Sequence, residues 1–271
     1  MALNSFAPEL CSLICQNPIL KRRDLNAICF ISHTFRKEAQ RALAYRFPCL
    51  RDASRVKSWC LSLKRTPHLA LNVQDLILFL PPQQSLYIED VERLKKALQM
   101  CVNLEELSVF LKHPRHPHQL YSPSIHTLFD LPFTLTRFVN GYFDQDSHYF
   151  AIFLESQKKL ETLEMHSTHS GNLHHSNISL PSLKTLACPA LWYFGMPMVE
   201  RLRLDFEKLT DCREMSILMC SSLIFRCKSL AIFLKKRLDG KQSHFLQIID
   251  LFARVRIKHL EIHQFLPIVR P

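Results

Sequence analysis

At 271 residues the chain suits one elongated domain, or a large domain with a small one attached. Its 47% hydrophobic and 22% charged residues make a folding composition and exclude a wholly disordered chain, and four Gly leave little material for phosphate-cradling loops. The formal net charge of +11 admits an acidic protein surface or nucleic acid as partner without choosing between them.

Residues 5–50 read as a compact helical unit. Asn4 or Ser5 is a candidate cap for a first helix, with Pro8 and Glu9 in its opening turn and Leu10, Leu13 and Ile14 as its apolar face. Asn17-Pro18 stops that helix. Asp24 reads as the next N-cap, followed by Leu25, Ile28 and Cys29 at helical spacing. Ser32 restarts a helix whose buried stripe is Phe35, Ala39, Ala42 and Leu43, and Pro48 ends it. Residues 51–70 read as a linker helix with Val56, Trp59, Cys60 and Leu63 on one side, closed by Thr66-Pro67.

From residue 71 the grammar changes. A short leucine phrase returns as "LEELSV" at Leu104–Val109, "LETLEM" at Leu160–Met165 and "LKTLAC" at Leu183–Cys188. Strands are expected to start near 73, 104, 135, 160, 183, 199 and 257, and the wide last gap leaves room for one further unit near Leu230. Between them, Tyr87–Cys101 reads as a helix with Val91, Leu94, Leu98 and Cys101 on one face. Asp146 reads as the cap of a second, through Phe150, Phe153 and Leu154; Glu214–Cys227 and Ser243–Val255 are helix-like.

The spacings scatter around the roughly 20–29 residues of a leucine-rich repeat. The expected fold is α/β: a small all-helical unit over 1–50, the linker helix over 51–70, and an irregular leucine-rich-repeat arc with a parallel strand face over 71–271. A generic α/β sandwich is the alternative. Leu104, Leu107, Leu163, Leu186 and Leu202 are expected to face inward. Glu105, Ser108, Thr162, Glu164, Thr185, Arg201 and Arg203 are the candidates for a partner-holding outer face. Asn140 and Asn172 do not recur in phase, so no asparagine ladder is expected.

Catalytic signatures are sparse. No nucleophile elbow occurs, and Glu161 and Glu164 fall on opposite faces of a strand, so no paired-carboxylate site is expected. His113, His116, His118 and His126 crowd one loop, and His166, His169, His174 and His175 another. Neither cluster includes a Cys, and both read as solvated loop histidines rather than a zinc site. No enzyme activity, cofactor or metal is expected. Ten Cys lie mostly among apolar residues without a secretory segment before them, which fits reduced core thiols in the cytoplasm or nucleus. No apolar run suits a membrane span. Arg201, Arg203, Lys258 and His259 could line one basic strip that touches nucleic-acid phosphates, a reading disfavoured by the lack of a stacking platform.

Residues 6–50 resemble an F-box, and the whole chain is similar to fungal F-box proteins with an irregular leucine-rich-repeat C-terminus. Phe6, Ala7, Pro8, Glu9 and Leu10 stand where the family writes LPxEL, with Pro8 one place late. Leu13 and Ile14 take the apolar pair that follows. Asp24, Leu25, Ile31, Ser32, His33 and Phe35 shadow the DLxxxxxVSKxW portion. Ala39, Leu43, Tyr45 and Arg46 shadow AxxxLYR. "FLESQKKLETLEM" and "LPSLKTL" are further fragments of this kind. The resemblance implies a substrate-recognition subunit of a cullin–RING ubiquitin ligase. Pro8, Leu10, Ile14, Leu25, Ile31 and Phe35 would then form or support the face for a small adaptor subunit, and the repeats would hold a protein substrate. A protein-interaction scaffold without adaptor binding and a basic nucleic-acid platform stand as alternatives.

Overall fold

The computed structural model describes residues 6–81, 88–111, 131–143, 148–166, 178–189, 199–206, 227–234 and 258–264. The expected helices over Glu214–Cys227 and Ser243–Val255, and the caps at Asn4, Ser5 and Asp146, fall wholly or largely outside these residues. The chain divides into two compact units: residues 1–115 with 127–133, and residues 116–126 with 134–271. The expected boundaries at 50 and 70 both lie inside the first unit.

The first unit opens with three helices, α1 (Pro8–Gln16), α2 (Arg22–Ile28) and α3 (His33–Arg46). Pro8 occupies the first turn of α1, where its missing N–H costs nothing. Pro18 forces Asn17 out of helical geometry, and the Asn17 side chain accepts the Ile19 N–H at 3.0 Å to turn the chain. Asp24 is not the N-cap of α2. Lys21 holds that position, and Asp24 reaches back three residues to accept the Lys21 N–H at 2.9 Å. Ser32 does cap α3, accepting the Phe35 N–H at 3.3 Å. The three helices close over Cys11, Cys15, Leu25, Phe35, Ala39, Ala42 and Phe47.

A two-residue strand, β1 (Cys49–Leu50), follows at once. Asp52 caps α4 (Ala53–Arg65) by accepting the Arg55 N–H at 2.9 Å. Val56, Cys60 and Leu63 are buried, and α4 packs against β1, β2 (Asp75–Leu80), α5 (Ile88–Met100) and a 3-10 turn at Pro67–Asn72. The segment read as a linker is therefore a covering helix of the strand stack. Its apolar face was legible, but its partner was not, because β1 is too short to show a period. β1, β2 and β3 (Glu106–Leu111) pair in parallel, with Leu76 beside Leu107 and Leu78 beside Val109, all buried.

The second unit holds β4 (Arg137–Gly141), α6 (His148–Ser156), β5 (Thr162–Met165), β6 (Thr185–Pro189), β7 (Arg201–Phe206), β8 (Ser229–Leu234) and β9 (His259–Gln264). Each strand pairs in parallel with the next in the chain. Ser229–Leu234, ambiguous between helix and strand from its sequence, is a strand, and it supplies the unit expected near Leu230. Phe138, Leu163, Leu186, Leu202 and Leu230 stand in register and are buried, so the expected inward leucines do face the core. Phe138 meets Phe150 and Phe153 of α6 at ring distances of 6.2 and 5.3 Å.

Two buried amides hold β4. Gln157 accepts the Leu135 N–H at 2.8 Å, satisfying a buried backbone donor. Asn140 accepts the N–H groups of Tyr142 and Phe143 at 3.2 and 2.8 Å and donates to the Phe143 carbonyl at 3.0 Å. One asparagine thus fixes a single turn rather than a ladder. The starts of the strands share one more device. The Gln74 carbonyl accepts from Glu105 and Glu106, Thr136 from Glu161 and Thr162, Glu161 from Lys184 and Thr185, Lys184 from Glu200 and Arg201, and Glu200 from Lys228 and Ser229, all at 2.8–3.0 Å.

Candidate functional site

Two surfaces stand out. The first is on the three-helix unit. Cys11 and Cys15 turn α1 toward the core, which leaves Leu10, Leu13 and Ile14 outside. The apolar face read from the sequence is therefore solvent-exposed. The reason is that α1 carries two apolar stripes, and the smaller thiols fit the close approach to α3. Phe6, Ile19, Phe30 and Ile31 are exposed as well, Ile19 at 79% and Phe30 at 83%. An apolar residue left that open forgoes roughly 1.5–3 kcal/mol of burial. Seven large apolar side chains of this small unit are exposed.

Of the residues expected at this face, Pro8, Leu10, Ile14 and Ile31 are exposed. Leu25, at 0%, and Phe35, at 6%, sit in the helical core and support the face from behind. Phe35 touches it through the Phe6 ring at 5.8 Å. Phe6, Leu13, Ile19 and Phe30 are exposed beside them, although the expected adaptor face did not include them. Apolar identity alone carries no signal for whether a neighbour covers the side chain.

The unit is tied down by a residue that its sequence marked only weakly. Arg46, at the end of α3, is 5% exposed. Its guanidinium donates to the carbonyls of Asn17, Pro18 and Leu20 at 2.9, 3.0 and 2.7 Å, and to Gln74 Oε1 at 2.8 Å. Arg22 adds an ion pair to Asp75 at 3.0 Å and donates to the Phe47 carbonyl at 3.1 Å. Arg22 is thus a structural cation of this unit.

The second surface is the strand face of the second unit opposite its leucine ladder. Across it Thr162, Thr185, Arg201, Ser229 and His259 stand in register, and the next row holds Glu164, Ala187, Arg203, Ala231 and Glu261. Most of its charges are paired. Arg137 meets Glu164 at 2.6 Å, and Arg203 meets Asp205 at 2.9 Å while lying 4.0 Å over the Phe233 ring. Phe233 stacks on His263 at 4.5 Å, and Glu261 bridges His259 and His263 at 2.6 and 3.0 Å. The His166 ring 3.7 Å away, then the hydrogen bond from Arg137, pull the Glu164 carboxyl down to about 2. The hydrogen bonds from His263 and His259 also lower Glu261.

Thr162, Glu164, Thr185, Arg201 and Arg203 therefore share one face of one unit. Glu105 and Ser108 belong to the other unit. Glu105 is exposed just before β3, but Ser108 is buried: Ile77 stands beside it in register, and Phe110 near it stacks on Phe79 at 5.2 Å, so larger neighbours shadow a small side chain. Along the starts of the strands, Glu161 pairs with Lys184 and Glu200 with Lys228, both at 2.7 Å. Glu161 and Glu164 thus bind different cations and form no carboxylate pair. Sequence reasoning missed Phe233, Glu261 and His263, whose signal is the alternation within "SLAIFL" and "HLEIHQ" once both are read as strands.

Among the described residues, no group of three or more His, Cys, Asp or Glu is placed to hold a metal ion. Of the two histidine clusters, only His166 is described. Among the same residues, no helix is long and apolar enough to cross a membrane. Comparison with protein-family models, curated proteins and solved structures finds no match for this chain.

Proposed function

We propose that the chain is an F-box protein with an irregular leucine-rich-repeat domain, serving as the substrate-recognition subunit of a cullin–RING ubiquitin ligase. On this reading it works in the cytoplasm or nucleus and performs no chemistry itself. The observation that carries the reading is the exposed apolar face of the helical unit: Phe6, Leu10, Leu13, Ile14, Ile19, Phe30 and Ile31. A solvated three-helix unit gains nothing from such a face, whereas docking on an adaptor would bury it. The motif positions Pro8, Leu10, Ile14 and Ile31 fall on this face, and Leu25 and Phe35 lie beneath it.

The paired charges of the second unit's strand face favour a protein substrate over nucleic acid. Of the four residues of the supposed basic strip, Arg203 and His259 are each held by a carboxylate. Phosphate tracking needs free cations along the backbone, and these two side chains are already engaged by carboxylates.

Co-purification tests the adaptor reading. The wild-type chain should retain the ligase adaptor, and Leu10→Asp with Phe30→Asp should release it without unfolding, because both side chains are exposed. Failure of the wild-type chain to retain the adaptor, or equal retention by the folded double variant, overturns the proposal.

A further inference from the structure

The strand face of the second unit holds one arginine that differs from its neighbours. Arg137 is committed to Glu164, and Arg203 to Asp205 and Phe233. Arg201 is exposed and, among the described residues, has no carboxylate within ion-pair distance. Glu200, next in sequence, is bonded by Lys228 at 2.7 Å, and Arg201 acts on it only as a nearby charge without an ion pair. The register places Thr185 on one side of Arg201 and Ser229 on the other. Neighbouring strands stand roughly 4.8 Å apart, so each hydroxyl is within a side chain's reach of the guanidinium. Among the described residues the hydroxyls of Thr162, Thr185 and Ser229 also lack a hydrogen-bond partner. One row further along, Ala187 and Ala231 flank Arg203, so no bulky side chain fills the diagonal positions beside Arg201.

We infer that Thr185, Arg201 and Ser229 form a seat for a carboxylate, and that the occupant is an Asp or Glu side chain on an extended segment of a protein partner. A guanidinium binds a carboxylate through two parallel N–H donors, and the carboxylate's remaining lone pairs accept hydroxyl protons. Thr185 and Ser229 stand where those hydroxyls are needed. A phosphate dianion fits less well. The seat offers one unpaired cation, while Glu164 and Glu261 occupy the adjoining row and repel a second negative charge. The chain's net charge of +11 assists the approach of an acidic partner but does not create the seat. This inference deepens the reading of the repeats as a partner-holding surface, and names the chemistry of what they hold.

The test is fluorescence anisotropy on the full chain with a short labelled peptide of alternating Glu and Ser, blocked at both ends. Wild type should bind it saturably, and the Gln-for-Glu peptide should bind about tenfold more weakly or not at all. Arg201→Ala should cost about tenfold, Arg201→Lys less, and Thr185→Ala with Ser229→Ala a few-fold. Lys258→Ala, which changes the same net charge outside the row, should leave binding unchanged. Equal binding to Arg201→Ala, an equal loss with Lys258→Ala, or binding only of a phosphoserine version of the Gln peptide overturns the carboxylate seat. Peptide binding is read without the adaptor, so its failure is distinct from failure of the adaptor pull-down.

Discussion

The Arg46 guanidinium lies 2.8 Å from Gln74 Oε1, joining the last turn of α3 to the residue that precedes β2. Gln74 is a hub in its own right. Its N–H donates to the Arg46 carbonyl at 2.9 Å, and its carbonyl accepts from Glu105 and Glu106. The helical unit is therefore bonded to the first strands and is not a module on a tether.

Arg46→Met removes the donors that satisfy the carbonyls of Asn17, Pro18 and Leu20 in a buried setting. The expected loss is roughly 3 kcal/mol, because buried acceptors left unpaired retain their desolvation cost. Urea denaturation measures it, and a loss below about 1 kcal/mol would show that water replaces the guanidinium.

The two sides of one strand should respond oppositely. Leu186→Ala should destabilise by roughly 2–5 kcal/mol, as Leu186 is fully buried in the ladder. Thr185→Ala, one residue away on the other face, should stay within about 0.5 kcal/mol. Equal effects in chemical melts would contradict the assigned facing.

A similar contrast holds in the helical unit. Leu25→Ala should cost roughly 2–5 kcal/mol. Phe30→Asp should leave the midpoint almost unchanged, since Phe30 is 83% exposed. Thermal melts of the two variants separate core from face.

Glu164 gives a pH dependence of defined sign. Its folded pKa, about 2, lies below the ordinary value of 4.5, so it stabilises the fold above pH 4.5. That contribution fades as pH falls from 4.5 toward 2. Its side chain is 22% exposed, and a contribution of roughly 1–3 kcal/mol is expected at neutral pH. Glu164→Gln should lose this at pH 7 and match wild type near pH 2. A stability gap that does not shrink with acid would refute the assignment.

Cys60 and Cys101 test the packing around α4 and α5. Burial pushes their thiols up to about 11 and about 12, so both stay protonated and enclosed in the folded chain. Alkylation mapped by mass spectrometry should find both unmodified under native conditions and modified in urea. Native labelling of Cys101 would mean that α5 opens.

Much of the strand stack was legible because its signal is local. A strand alternates with period 2, and "LETLEM" or "VERLRLDF" states that period within six to eight residues. The helix stops at Asn17-Pro18 and Thr66-Pro67 were legible for a similar reason: proline acts on its immediate neighbour. What escaped depends on contacts distant in sequence. Arg46 meets Asn17 and Gln74, each more than 25 residues away. Gln157 meets Leu135 across 22. The choice of Cys15 over Ile14 for the core rests on how closely α1 approaches α3, which no periodicity in α1 reveals. Asp24 was placed at the wrong cap position because an acidic residue serves equally well at either end of a capping box.

The doubled acceptor at the starts of β3, β5, β6, β7 and β8 carries a consequence for how these segments can drift. Because a main-chain oxygen sets the offset between consecutive ribbons, their pitch is indifferent to which side chains stand there and to how much chain loops out before the next ribbon begins. Insertions and deletions between ribbons can accumulate while the lattice stays fixed. That tolerance explains how segments of such unequal length still bring Leu163, Leu186, Leu202 and Leu230 into one line.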